Sequence, residues 1–169
     1  MNKAMKIIAI VVLLVTIAGT GAALYAVNTM TPQVESVGVV VTPALEAEGT
    51  FDSVMEQLTQ ETFTGRVYSD TTGLRAQDCS FVTYTVRLDN RGFFPAEWIA
   101  LTVVPSAQQT EESRDILMMP ESGAYALYAG SRGDLTATIL TTGNPQQTRE
   151  LEISCYVFGR KIVFRVNAP

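Results

Sequence analysis

The chain has 169 residues, of which 47% are hydrophobic and 17% are charged, and it contains no histidine. The lack of histidine removes the commonest general base near neutral pH and the commonest transition-metal ligand. Beyond the first 30 residues the chain carries 10 Lys and Arg against 17 Asp and Glu, and such an acidic surface repels nucleic acid. We therefore expect no enzymatic activity, no nucleic-acid partner and no cofactor, and we assign no catalytic, cofactor-binding or metal-binding residues.

An uncharged apolar segment of 21 residues covers positions 7–27. A helix rises about 1.5 Å per residue, so this segment can cross a hydrocarbon core that is about 30 Å thick. Lys3 and Lys6 precede it, and the next charged residue is Glu35. The positive-inside rule therefore predicts a cytoplasmic N-terminus at 1–6, a single transmembrane helix in the cell membrane and an extracytoplasmic remainder.

A cleaved signal peptide is the alternative interpretation of the same segment. The small residues Gly21 and Ala23 offer a processing site after a short apolar core. We favour the uncleaved anchor because the apolar residues continue as far as Val27. Both interpretations place the rest of the chain outside the cytoplasm.

Small residues recur on one face of the predicted transmembrane helix. Such a face would let a second helix approach closely and form a homo-oligomer. The alternative is that small residues simply accumulate near the end of exported leaders. The residues of this candidate helix-packing face are Ala18, Gly19, Ala22, Ala23 and Ala26.

A polar linker at 28–33 leads into the extracytoplasmic domain, which we place at 34–169. The domain begins with a segment rich in β-branched residues at 34–42, and this composition predicts a strand that ends at Pro43. The predicted order is therefore membrane helix, short linker and folded domain.

One helix is predicted within the domain. Apolar residues at i, i+3, i+4 and i+7 start at Phe51, and Ser53 with Glu56 has the spacing of a capping box. We expect a short helix over 52–60 that covers the core.

Strand patterns fill most of the chain after the helix. Apolar and polar residues alternate over 82–88, which predicts a strand with one buried face. After a turn at 89–92, the segment 96–104 is expected to be its partner strand, with Trp98 packed on the core. Further strands are predicted at 115–119, 124–129, 135–140, 151–158 and 161–166.

The last two strands are predicted to form a hairpin. Gly159 and Arg160 separate them, and glycine at the first position of a two-residue loop is typical of a type II′ turn. Strands that recur at a spacing of about ten residues indicate a sandwich or a barrel.

Two segments resemble a known family of domains. The sequence YTVRLDNRGFFPAEWIALTVVP at 84–105 and the sequence LYAGSRGDLTATIL at 127–140 are similar to bacterial immunoglobulin-like domains of the CARDB (cell adhesion related) kind. The similarity extends from residue 81 to the end of the chain. It implies an immunoglobulin-like β-sandwich. Together with the apolar segment and the strand and helix patterns above, the predicted fold is all-β, an immunoglobulin-like β-sandwich of about seven to nine strands with one short helix, preceded by the transmembrane helix.

Cys79 and Cys155 are the only cysteines. An even count in an exported chain favours a disulfide, which would stabilise the fold by about 4 kcal/mol in the chain-entropy model. The alternation pattern opposes the bond, because Cys155 shares the inward face of its strand while Cys79 has the opposite parity to Val82 and Tyr84. A disulfide and two unpaired thiols both stay open as expectations.

Arg132, Gly133 and Asp134 form an Arg-Gly-Asp tripeptide between two predicted strands. A loop position would allow integrin-type adhesion, but a tripeptide of this kind occurs by chance in roughly 3% of chains of this length, and Gly-Asp also suits a plain hairpin turn.

The sequence thus predicts an anchored protein that contacts other envelope proteins as a structural or accessory subunit. One alternative is a pilin-like filament subunit whose N-terminal helices form a bundle. The other is a secreted binding domain that is released after cleavage of the leader.

Overall fold

The computed structural model describes residues 3–28, 31–105, 109–110, 113–123, 125–143, 145 and 148–168. Within them lie two α-helices, α1 (Lys3–Asn28) and α2 (Glu48–Thr59). The strands are β1 (Gln33–Pro43), β2 (Arg66–Val67), β3 (Cys79–Asp89), β4 (Ala96–Val104), β5 (Asp115–Met118), β6 (Ser122–Gly123), β7 (Ala126–Leu127), β8 (Arg132–Thr142), β9 (Glu150–Val157) and β10 (Arg160–Asn167). A short 3₁₀ turn at Ala76–Asp78 precedes β3.

Helix α1 contains the whole of the predicted apolar segment and is the one helix of the described residues that is long and apolar enough to cross a membrane. Its side chains are exposed from residue 3 to residue 25. The hydroxyls of Thr16 and Thr20 donate hydrogen bonds of 2.8 Å to the carbonyls of Val12 and Thr16, four residues earlier. These bonds satisfy the polar groups that a lipid environment would otherwise leave without partners.

The strands form two antiparallel sheets that pack face to face, so the β-sandwich expected from the strand pattern is present. The larger sheet has the order β1-β3-β8-β5-β2, with β6 paired to β8, and the smaller has the order β10-β9-β4-β7. The core between them takes the inward side chains of both sheets, including Tyr84, Leu88, Leu101 and Ile153.

The predicted pairing of the strand at 82–88 with the strand at 96–104 is wrong. Strand β3 pairs with β1 and β8, whereas β4 pairs with β7 and β9 in the other sheet. The connection at 90–95 therefore crosses between the sheets and is not a hairpin. The alternation of β3 identifies its buried face, and it carries no information about which strand lies beside it.

Helix α2 confirms the predicted helix at 52–60, but it begins earlier, at Glu48. Ser53 lies inside the helix, so the predicted capping box is wrong; the N-cap is Ala47, whose side chain makes no capping hydrogen bond. The helix does not cover the core between the sheets. It packs on the outer face of the larger sheet, where Phe51 and Val54 join a second apolar cluster.

The final hairpin is confirmed, with its turn one residue earlier than predicted. Arg160 already pairs with Val157, so the loop is Phe158 and Gly159, with φ of 51° and 73°. Two positive φ values are typical of a type I′ turn, not the predicted type II′ turn. The predicted strand at 124–129 contains only β7, and its residue 124 lies outside the described residues.

Candidate interaction surface at one end of the sandwich

One end of the sandwich, here called the proximal end, is the end at which α1 joins it. Gln33 of β1 pairs with Asp89, which pairs with Arg132, so the start of β1 lies beside the loop at 90–95 and the turn at 128–131. Ala96 pairs with both Leu127 and Val157, and this brings the turn at 158–159 to the same end.

Asn90 holds these connections together. Its side-chain amide, which is fully buried, donates hydrogen bonds of 2.9 Å to the carbonyls of Phe94 and Leu127. Its backbone accepts a hydrogen bond from Gly130 and donates one to Ser131. A buried amide with satisfied hydrogen bonds fixes the relative positions of the connections that it joins.

Exposed aromatic side chains are concentrated at the proximal end. In the described part of the chain beyond α1, every aromatic side chain that is exposed lies in one of the three connections, near the proximal end of β4 or β9, or directly before β7. They fall into two groups, the aromatic patch (Trp98, Tyr125 and Tyr156) and the tip aromatics (Phe93, Tyr128 and Phe158).

The aromatic patch is centred on Trp98, which is 61% exposed, so the expectation that this side chain packs on the core is wrong. The register of β4 against β9 shifts between Glu97 and Ala100, and Trp98 has a φ of 52°. This β-bulge inserts one extra residue, so Trp98 points outward where simple alternation after Ala96 predicts an inward residue.

Trp98 also has defined neighbours. Its ring stacks edge-on against the ring of Tyr125, with 4.9 Å between the ring centroids. Beside it lies an open depression of about 410 Å³ that is lined by Glu97, Trp98, Tyr156 and Gly159. The result is a shallow, partly apolar surface on the outer face of the smaller sheet.

The tip aromatics lie one in each of the three connections. Phe93, Tyr128 and Phe158 are 65%, 74% and 79% exposed. Phe158 also contacts the ring of Phe94, with 5.2 Å between centroids. These large side chains on the turn tips therefore bury little of their apolar surface in the folded chain.

The Arg-Gly-Asp tripeptide does not lie in a loop, contrary to expectation. Arg132, Gly133 and Asp134 are the first residues of β8 and pair with β3. Arg87 donates two hydrogen bonds to the Asp134 carboxylate, at 2.7 and 2.8 Å, and these bonds lower the pKa of Asp134. Arg132 in turn forms ion pairs with Glu35 and Asp89. The tripeptide is extended and its charges are paired, which does not suit adhesion.

Cys79 and Cys155 are both free and buried. Cys79 begins β3 on the outer face of the larger sheet, beneath α2, whereas Cys155 lies in the core between the sheets and near the proximal end of β9. A disulfide needs Cα atoms within about 7 Å, and the larger sheet separates these two side chains. The structure thus has two unpaired thiols, as the opposite parity indicated, and burial raises the pKa of both.

A buried ion pair at the opposite, distal end was missed by the sequence analysis. Arg149, which precedes β9, and Asp115 of β5 have side chains that are 1% exposed, and Nη2 of Arg149 lies 2.7 Å from the carboxylate. Arg149 also donates hydrogen bonds to the hydroxyls of Tyr84 and Thr141. Burial raises the pKa of Tyr84, although Arg149 acts in the opposite direction. Charged residues are rarely buried, so no signal in the sequence singled out Arg149.

The small residues of α1 remain a predicted helix-packing face. Ala18, Gly19, Ala22 and Ala23 are exposed along the helix, and Ala26 is half-buried. Among the residues that the structure describes, no group of three or more His, Cys, Asp or Glu side chains is arranged to hold a metal ion.

No family model matches the chain, and no curated protein matches it. Among solved structures, the chain is similar to the GAE domain of GGA2p from Saccharomyces cerevisiae, with 4% identity over 82% of this chain and 94% of that one and a TM-score of 0.38. A similarity at this level establishes neither a fold family nor a function. The resemblance to CARDB domains stays a prediction.

Proposed function

We propose that the chain is a single-pass membrane protein whose extracytoplasmic, immunoglobulin-like β-sandwich binds another envelope protein through the aromatic patch. The observation that carries this proposal is the exposure of Trp98 at a bulge, where it is stacked on Tyr125 and is not part of the core. The chain then acts as a structural or accessory subunit.

The membrane anchor is supported by α1. Its apolar segment matches the thickness of the hydrocarbon core, its threonine hydroxyls are bonded within the helix, and Lys3 and Lys6 precede it. A positively charged flank on the N-terminal side favours a cytoplasmic N-terminus, which leaves the sandwich outside.

The immunoglobulin-like assignment is supported by the strand order. If β1, β3, β4, β5, β8, β9 and β10 are taken as strands A to G, the sheets have the orders A-B-E-D and G-F-C. This is the arrangement of constant-type immunoglobulin domains. The remaining strands, β2, β6 and β7, have two residues each and extend the sheets.

Two physical arguments support protein binding at the aromatic patch. Tryptophan and tyrosine dominate the energetics of protein interfaces, because they bury a large area while keeping a polar group for hydrogen bonding. A tryptophan with positive φ also costs about 1–3 kcal/mol of backbone strain, which is typical of positions that are selected for function. Trp98 combines that strain with exposure.

Photo-crosslinking in native membranes tests the proposal. A photoreactive amino acid at position 98 of the full chain should yield a defined crosslinked product with another envelope protein. Val163 is the matched control, because it is exposed on the outer face of the same sheet but two strands away. Equal labelling from positions 98 and 163, or none from either, contradicts the proposal; a crosslink between two copies of this chain would replace the partner with a homo-oligomer.

A further inference from the structure

The tip aromatics lie close to the end of the membrane helix. Four residues separate Asn28 of α1 from Gln33 of β1, and a fully extended chain of that length spans at most about 18 Å. Since Gln33 pairs with Asp89 at the proximal end, that end of the sandwich has to lie near the point where α1 leaves the bilayer.

A contact between α1 and the loop at 90–95 indicates how deep this loop lies relative to the bilayer. The rings of Tyr25 and Phe93 lie 5.9 Å apart, centroid to centroid. Tyr25 precedes the end of the apolar segment, Val27, by two residues, or about 3 Å along the helix axis. Phe93 is therefore level with the boundary between the hydrocarbon core and the head groups when α1 spans the membrane.

The charge distribution allows the proximal end to approach a membrane. Nine charged residues lie at the proximal end, five basic and four acidic. They belong to the three connections, to 87–89 of β3 and 96–97 of β4, or to the strand segments beside these, including the bulge of β1 at Glu35. The rest of the sequence after α1 has five basic and thirteen acidic residues. The nine proximal ones are Arg87, Arg91, Arg132, Arg160, Lys161, Glu35, Asp89, Glu97 and Asp134.

This asymmetry has an electrostatic consequence. Anionic head groups repel the acidic part of the domain and do not repel the proximal end, where the exposed basic residues Arg91, Arg160 and Lys161 lie beside the tip aromatics. Aromatic side chains favour the membrane–water interface, because their rings combine apolar surface with a quadrupole or a polar group.

We propose that the tip aromatics Phe93, Tyr128 and Phe158 insert into the lipid interface around α1 and hold the sandwich against the membrane. This inference rests on the anchor of the proposed function and adds a second, peripheral contact to it. It fixes the orientation of the domain, so that the aromatic patch on the sheet face stays accessible to a protein partner at a defined height above the bilayer.

Tryptophan quenching by brominated lipid tests the inference on the full chain in phosphatidylcholine vesicles. One variant carries Trp98→Phe and Phe158→Trp, and a second carries Trp98→Phe and Tyr128→Trp, so each has its single tryptophan at a tip. The matched control carries Trp98→Phe and Leu45→Trp, because Leu45 is 60% exposed and follows the distal end of β1. Flotation on a density gradient first establishes whether each protein is bound to the vesicles.

All three variants are expected to float. With vesicles, the tryptophan emission at positions 158 and 128 should shift to a shorter wavelength than in the variant at position 45. Brominated lipid should quench the emission at 158 and 128 but not at 45. If the proteins float and neither tip position is quenched, the interfacial contact is overturned while the anchor stands. Equal quenching at 45 also overturns it, because the whole domain would then lie in lipid. Proteins that do not float overturn both the anchor and this inference.

Discussion

The two ends of the sandwich differ in which of their large apolar and charged side chains are buried. At the distal end, α2 covers an apolar cluster and the ion pair of Arg149 and Asp115 is buried with satisfied hydrogen bonds. At the proximal end, large aromatic side chains are exposed, and two of them, Trp98 and Phe158, have positive φ.

The contrast separates stability from recognition. Side chains that are buried at the distal end contribute to the folding free energy, whereas the exposed proximal aromatics leave apolar surface that gains free energy only when it contacts something else. Substitutions of the buried distal residues should therefore destabilise the domain, whereas substitutions of the exposed proximal aromatics should leave it folded and change what it contacts.

The largest effect is expected from Arg149→Ala. It removes the guanidinium that pairs with the buried Asp115 carboxylate, and breaking a buried ion pair in this way costs about 3–5 kcal/mol. Urea denaturation followed by circular dichroism measures the change. A midpoint close to that of the wild type would show that water reaches Asp115 and that the distal end is not closed.

The double variant Arg149→Met with Asp115→Leu sharpens that test. Apolar residues of similar volume remove both charges, so part of the lost stability should return. Recovery should stay incomplete, because the hydroxyls of Tyr84 and Thr141 then lose their hydrogen bonds to Arg149. A double variant that is less stable than Arg149→Ala would assign the effect to packing instead of charge.

Phe51→Ala should give the next largest effect. Phe51 is 5% exposed beneath α2, and removing its ring leaves a cavity that costs about 3 kcal/mol, at the low end of the range for such substitutions because the helix can shift. Leu45→Ala is the matched control, since its side chain is exposed. Equal denaturation midpoints for the two variants would show that α2 does not stabilise the larger sheet.

The sequence predicted the strands better than their arrangement. The positions of β1, β3, β4 and the final hairpin follow from alternation and turn residues, which are local signals. Which strand lies beside β3 depends on contacts between distant residues, so the turn residues at 89–92 wrongly predict a hairpin. Local patterns cannot distinguish a tight turn within one sheet from a crossing between two sheets.

The two ends also differed in how far their key residues could be predicted. Alternation assigns Trp98 to the core, and only the bulge, which has no clear sequence signature here, reverses that assignment. Arg149 resembles any surface arginine until the fold places Asp115 and Tyr84 around it. By contrast, the opposite parity of Cys79 and Val82 was a local signal, and it correctly indicated different faces of β3.

Trp98→Ala should change stability much less than the distal substitutions. The substitution removes an exposed ring together with its contact with Tyr125, which is worth about 0.5–1.5 kcal/mol, and it leaves the core intact. The denaturation midpoint should therefore stay near that of the wild type, while the photo-crosslinked product from a neighbouring probe, placed at Glu97, disappears. A loss of stability as large as that of Phe51→Ala would mean that the aromatic patch is structural.

The smallest effect concerns the two thiols, one beneath α2 and one in the core. Burial raises the pKa of Cys79 and Cys155 above the ordinary thiol value of about 8.5, so the folded state favours the protonated forms. This contribution is fully present below the thiol pKa of the unfolded chain and is lost as the pH rises through the higher folded values. Between pH 8 and pH 10, the free energy of unfolding should therefore fall more for the wild type than for a double variant with Cys79→Ala and Cys155→Ala. A thiol reagent should label two cysteines in denaturant without prior reduction. Labelling only after reduction would reveal a disulfide and would contradict the placement of the two cysteines on opposite sides of the larger sheet.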